Sequence, residues 1–530
     1  MLSVAFCGYT QLFAVQPSGV VDSELTSHRF DFVESNTPWL SSMNPAGLGD
    51  FRLKSMSFGS LSFEKESGEL ANYFESNNSS EYKVGSKSLY RFNNKVIVKG
   101  EVSYTNFSGE NMSGSVFINP YDRPFDILDF DSSNQGVKNI EFYTINGAVS
   151  VELFRGLELG AELDFNSASY AKMKDLRYKT SYSKLNATTA VRYSPLKNLH
   201  LGVARSFTQE IEGVNFSFYG PENILYRELI SFGGFWGISS TYSSLSHNFI
   251  KNTRQPYIEY SNNISAQISY KFADLTLMIE GYQIYSNGYY GLESNSSVVH
   301  TKNKNIEQGI NAQLLYSSAK SSHTAIFKFS NFDISNNRTV WRDQSTGGGS
   351  SEVVYFDAVK AGEIGQKSYS LEYRGYLGIT NMTPRWQVEA GYSRYERDVF
   401  ATIYPFYREQ TIHTSSADAM LLRNISWRAN TIAIALGGAY QWGGGVMSND
   451  GTYATPSSEM VKPKTSDEMM RREWDFLTAK QYGVSPMVRY SRLLNKNTEI
   501  YTTLNYTFTS AYELHDRSRS LLSLSVGCNF

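Results

Sequence analysis

The residues able to do chemistry in this 530-residue chain are few and scattered. Its seven histidines, His28, His200, His247, His300, His323, His413 and His515, show none of the short spacings by which imidazoles converge on a metal. No Gly-x-Ser-x-Gly elbow, phosphate-binding glycine loop or HExxH string occurs. His515 beside Asp516 is the one tight acid–base pair, and such a pair is ordinarily a solvated loop feature. Asp122, Asp126, Asp129, Asp131 and Asn134 supply hard oxygen ligands suited to Ca²⁺, but not in the fixed order of an EF-hand loop. No catalytic residue, metal site or cofactor is expected, and the chain reads as a non-enzyme.

Two other groups remain. Phe232, Phe235 and Trp236, with Gly233 and Gly234 between them, put aromatics and glycines in one stretch that could form an apolar access site or stack on sugar rings. Glu372, Arg374, Arg385 and Glu389 place mixed charges on two neighbouring segments, where cross-strand pairing would fix the shape of a wall.

The elements that must carry them are strands. Val96, Val98, Val102 and Tyr104 alternate with Lys95, Lys99, Glu101, Ser103 and Thr105, only Ile97 being out of phase. The same period of two recurs with Leu157 to Phe165 against Glu158 to Asn166, with Ile264 to Phe272 against Ser265 to Lys271, and with Ile500 to Phe508 against Glu499 to Thr507. No helical periodicity runs over any long window. Tight turns join the strands in couples at Asn93-Asn94, Arg155-Gly156, Pro195 to Asn198, Ala273-Asp274, Lys320 to Ser322, Thr380 to Thr383, Arg428 to Asn430 and Asn495 to Asn497. Long variable stretches separate the couples, the longest at 209–263, with space for another hairpin. Short turns on one side and long loops on the other, with strands of about 9 to 11 residues, describe a transmembrane antiparallel β-barrel. Eight hairpins and two flanking strands predict an all-β barrel of about 18 strands, within 16–20, over residues 51–530.

Composition agrees. The 37 Tyr and 32 Phe raise the aromatic share to 14% while mean hydropathy stays at −0.37, as lipid-facing and lumen-facing residues at period two require. No run of about 18 apolar residues exists, which excludes a helical membrane protein. The net charge of −2 excludes the basic face of a nucleic-acid binder, and two cysteines exclude a disulfide scaffold.

The ends carry resemblances. Residues 1–16 resemble the apolar region of a secretory signal peptide, without its basic start. The last strand alternates Leu522, Leu524, Val526 and Cys528 with small or polar residues and stops at Phe530, which resembles the sorting signal of bacterial outer-membrane barrels. That implies the barrel-assembly machinery and the outer-membrane bilayer as partners. Residues 17–50 are too irregular to span, and they contain Trp39 and the string Asn44-Pro45-Ala46-Gly47-Leu48. This string resembles the Asn-Pro-Ala motif in the N-terminal hatch of FadL-type transporters of hydrophobic compounds. The resemblance implies a hatch inside the lumen anchored by Trp39, Asn44, Pro45, Ala46 and Gly47, and a small hydrophobic solute. Those transporters look like fourteen-strand barrels, smaller than this one. In overall style the chain is similar to uncharacterised Bacteroidota-type outer-membrane barrels. A TonB-dependent receptor would need a far longer plug domain. The expected function is a hatch-gated transporter, channel or receptor, the alternative being a non-transporting scaffold for a protein partner.

Overall fold

The computed structural model describes residues 28–530 apart from 130, 132–133, 218, 220–223, 243–254, 295–296, 348–349, 381, 496–497 and 516. The expected signal peptide at 1–16, the first part of the 17–50 segment, His247 and Asp516 lie outside the described residues.

Eighteen antiparallel strands close into one barrel. The first, Ser55–Gly68, pairs with the last, Arg517–Asn529, from Phe58 opposite Asn529 to Gly68 opposite Arg519. Phe530 extends the seam: its N–H donates to the Ser57 carbonyl, and the Ser57 N–H donates back, both at 2.9 Å. The eight tight hairpins all form, linking, for example, Gly136–Phe154 to Leu157–Lys172 and Gln255–Phe272 to Leu275–Ser294. Two-residue turns fit where two long strands must stay in register, and the chain supplies Gly156 at a positive φ of 86° in one of them.

The alternation sorts the two faces. On Val96–Met112, Val98 and Val102 are exposed outward while Glu101, Ser103 and Thr105 are buried inward. Outward Leu61, Ile145, Ile264, Leu371, Leu436 and Val526 belong to a continuous apolar belt far larger than a water-soluble protein exposes. Exposed Phe154, Tyr193, Phe272, Tyr316, Trp427 and Tyr490 stand beside the short turns as an interfacial girdle. No helix among the described residues is long and apolar enough to cross a membrane; the strands cross it. The chain is an outer-membrane barrel with its short turns at one rim and its long loops at the other.

Three features depart from a simple wall. Ile97, out of phase in the sequence, points inward and packs with Phe30, Leu48, Phe51 and Phe58 beneath the N-terminal segment. The long 209–263 stretch does hold a hairpin, Tyr226–Ser231 with Gly237–Tyr242, but it joins Asp126–Asp129 and Gly114–Ser115 in a separate four-stranded sheet. That sheet is buried against inward Tyr178, Phe216, Tyr257 and Tyr290 at the long-loop end of the barrel. Two helices, α1 (His28–Ser35) and α2 (Asp467–Thr478), are shorter than the long windows in which no helical periodicity runs. Met469, Met470, Glu473, Phe476 and Leu477 form a buried stripe at helical spacing on α2, and Asp467 and Glu468 suit its N-terminal turn.

Candidate functional site

The N-terminal segment lies in the lumen near the short-turn rim, folded as α1 and two 3₁₀ turns, Pro38–Ser41 and Pro45–Asp50. Proline opens each turn, where a missing N–H costs nothing. Asn44 caps the second by accepting from the Ala46 N–H at 3.0 Å. Its amide also donates to Gln267 Oε1 at 2.9 Å and to the Val191 carbonyl at 3.2 Å, tying the cap to the wall. Trp39 Nε1 donates to Ser269 Oγ at 2.7 Å, the Met43 N–H to Glu280 Oε2 at 2.9 Å, and Ser150 Oγ to the Ala46 carbonyl at 3.1 Å.

The seat is made of missing side chains. A Cβ on Gly160 would stand 2.1 Å from the Ala46 nitrogen, and one on Gly202 would stand 2.8 Å from the Trp39 ring. Ala46 packs on Ala190 and Ala204 beside them. Within the segment, a Cβ on Gly47 would stand 2.4 Å from the Trp39 carbonyl, so this position also requires glycine. Trp39, Asn44, Pro45, Ala46 and Gly47 are thus brought together on one patch of wall. Arg192 lies over the Trp39 ring at 4.6 Å and pairs with Asp50 at 2.7 Å and Glu158 at 3.1 Å.

The predicted charge cluster is only partly assembled. Glu372 lies 3.4 Å from Arg374 and 3.5 Å from Lys328, and Arg374 stands opposite Glu389 in register. Arg385 is the exception: it sits exposed at the rim turn ahead of Trp386–Ile403, too close to the strand end to join. The sequence did not disclose that Arg374 Nη1 and Tyr376 OH both reach Ser35 Oγ at 3.3 Å, so this wall also holds the N-terminal segment.

At the long-loop end the aromatic–glycine cluster is corrected from an open access site to a core. Phe232, Phe235 and Trp236 are 1%, 5% and 0% exposed. Gly233, Gly234 and Phe235 take positive φ in succession, which folds the hairpin tip tightly enough to bury all three rings. Arg408 covers Trp236 at 4.6 Å, and Tyr73 meets Phe235 edge-on at 5.0 Å. A cavity of about 60 Å³ touches Phe235. The carboxylates read as Ca²⁺ ligands diverge: Asp129 pairs with Lys172, Asp131 with Arg227 at 3.1 Å, and Asp122 accepts from Asn119 at 2.8 Å. Asp126 accepts from Ser115 Oγ at 2.6 Å and Tyr73 OH at 3.0 Å, and burial pushes its carboxyl up to about 7. No group of metal ligands forms among the described residues.

Between the two insertions, at mid-height in the barrel, lies a chamber of about 340 Å³. Trp39, Met43 and Asn44 bound it from the N-terminal segment, and Asp122 bounds it from the loop above. Its wall mixes charged and polar groups, with Glu101, Asn146, Asp164, Thr188, Glu259 and Asn263 facing in, and apolar side chains such as Leu40, Ile284 and Phe332. Its volume falls in the range of about 300–1,000 Å³ usual for small-molecule sites. Arg123, held at 2.6 Å by both Glu210 and Glu212, fixes the loop that forms its roof.

A family model described as Family of unknown function (DUF6850) matches residues 45–530. No curated protein matches the chain. Solved structures similar to it include the ferric preacinetobactin receptor BauA from Acinetobacter baumannii, at 7% identity over 89% of this chain and 80% of that one, TM-score 0.39. The outer-membrane transporter YddB from Escherichia coli matches at 8% identity over 90% and 81%, TM-score 0.38. The TodX deltaS2S3 mutant monoaromatic hydrocarbon channel matches at 10% identity over 92% of each chain, TM-score 0.32.

Proposed function

We propose that this chain, which belongs to the DUF6850 family, is an outer-membrane transporter or channel for a small solute, with its N-terminal segment as the movable closure. The observation that carries this reading is the chamber of about 340 Å³ held inside a closed barrel between two separate insertions. A barrel of this strand number encloses a wide lumen, and a wall built only for rigidity would have no use for a cavity at its centre. The N-terminal segment fits a gate because its seat on Gly160 and Gly202 is close contact without a covalent tie. The carboxylates Glu101, Asp164 and Glu259 in the chamber wall support a polar cargo over the hydrophobic one that the Asn44–Gly47 string implies.

A reversible lock tests the gate. Ala46→Cys with Ala190→Cys, in a background with Cys7→Ser and Cys528→Ser, places two thiols on residues that already pack together. In proteoliposomes the oxidised form should pass small solutes more slowly than the reduced form. Equal passage in both forms would remove the segment as gate. No passage in either would favour the second reading, a non-transporting scaffold. That reading rests on the hairpin Ser321–Gly347 with Ser350–Leu377, whose long strands carry exposed Trp341 and Phe356.

A further inference from the structure

We infer, resting on the transport reading, that the chamber takes a small cation rich in hydrogen-bond donors, such as a short oligoamine. The argument is one of charge left over. Three lysines face the chamber, and each is already engaged: Lys87 with Glu34, Lys99 with Glu162 at 3.4 Å, and Lys184 with Glu210 at 3.2 Å. Glu101, Asp164 and Glu259 face it too, and none has an ion-pair partner within 4.0 Å among the described residues.

The hydrogen-bond donors to Asp164 and Glu259 are neutral, whereas Glu101 stands opposite Lys87 in the strand register, whose amine pairs with Glu34 instead. Asp164 accepts from Asn146 at 3.2 Å and from Asn166 at 2.5 Å. Glu259 accepts from Tyr257 OH at 2.6 Å and Asn305 at 2.8 Å. Glu101 is 3% exposed and lines the chamber, yet its Oε1 accepts no hydrogen bond at all. An ionised carboxylate is acceptor-only, so what completes this site must donate. In a lumen with low-dielectric walls, surplus negative charge concentrates cations and repels anions. The amide oxygens of Asn146 and Asn263 and the Thr188 hydroxyl add acceptors for further N–H groups, and no cluster of metal ligands forms here among the described residues.

The test compares three probes of modest size on the purified full chain: spermidine, glucose and glucuronate. Calorimetry should give spermidine an affinity at least about tenfold above the other two. Glu101→Gln with Glu259→Gln, a change of charge with little change of shape, should abolish that preference, and Glu101→Gln alone should weaken it if the double variant fails to fold. The inference is overturned if glucose or glucuronate binds as well as spermidine, if none binds, or if the variants bind spermidine unchanged. Passage into proteoliposomes is scored separately. Spermidine bound but never passed removes the transport reading and keeps the cation site, whereas solute passed without spermidine binding does the reverse.

Discussion

Arg397 and Glu473, 76 residues apart, meet as a bidentate pair, with Nη1 to Oε1 at 3.0 Å and Nη2 to Oε2 at 2.7 Å. Both side chains are buried, and Gln410 accepts a further bond from Arg397 Nη2 at 3.0 Å. The pair fastens α2 to the inner wall. Removing one partner leaves a buried charge uncompensated, so Glu473→Gln should weaken the docking of α2 by roughly 3–5 kcal/mol. Hydrogen exchange over 467–478 should rise while exchange in the barrel strands stays unchanged. Arg397→Met with Glu473→Leu should recover most of the loss.

Gly160→Ala should unseat the N-terminal segment, because the added Cβ would fall 2.1 Å from the Ala46 nitrogen. The atoms it would meet on Pro45 and Ala46 belong to backbone, so no side chain can swing aside. The expected result is faster proteolysis between residues 28 and 50 with the barrel intact. Gly100→Ala, where a Cβ meets nothing within 4 Å, is the control and should leave cleavage unchanged.

The inner sheet should loosen as pH rises. Asp126 has its carboxyl pushed up by burial from the ordinary 3.8 to about 7, so the folded state holds its proton more tightly than the unfolded. The stabilisation is full below about 4, declines between about 4 and 7, and is gone above. It amounts to roughly 2–4 kcal/mol locally. Exchange over 114–129 and 226–242 should therefore be faster at pH 8 than at pH 5, and Asp126→Asn should flatten that difference.

Trp236→Ala tests whether the hairpin tip is core. With the ring fully buried beneath Arg408, its loss should destabilise the inner sheet by roughly 3–5 kcal/mol. Near-ultraviolet circular dichroism and exchange over 226–242 report it. A variant with unchanged exchange would return Trp236 to the role of an exposed contact residue.

The wall of this protein is written in its sequence because period-two alternation depends only on neighbours along a strand. Val98, Glu101 and Val102 declare their faces without reference to anything distant. What fills the lumen depends on contacts between residues far apart. Phe235 finds Tyr73, and Glu473 finds Arg397, across separations that no local pattern encodes. One signal was present and unread. Tyr178, Tyr257 and Tyr290 occupy the inward phase, where a wet lumen would want polar groups, and rings there require something apolar to meet. The helix α2 was also legible from Met469, Met470, Glu473, Phe476 and Leu477, but only in a window shorter than those that reveal strands. The Asn44–Gly47 string sits backbone against backbone on the wall at Gly160, a seat that a sequence cannot display.

The two insertions come from different parts of the chain and occupy different heights in one tube, so under the proposed transport function they would act as resistances in series. Flow through such a tube is governed by the tighter of the two, and easing either one alone changes the total only by its own share. Variants that displace the N-terminal segment and variants that loosen the inner sheet should therefore be strongly non-additive in conductance. Single changes can be nearly silent where their combination leaks.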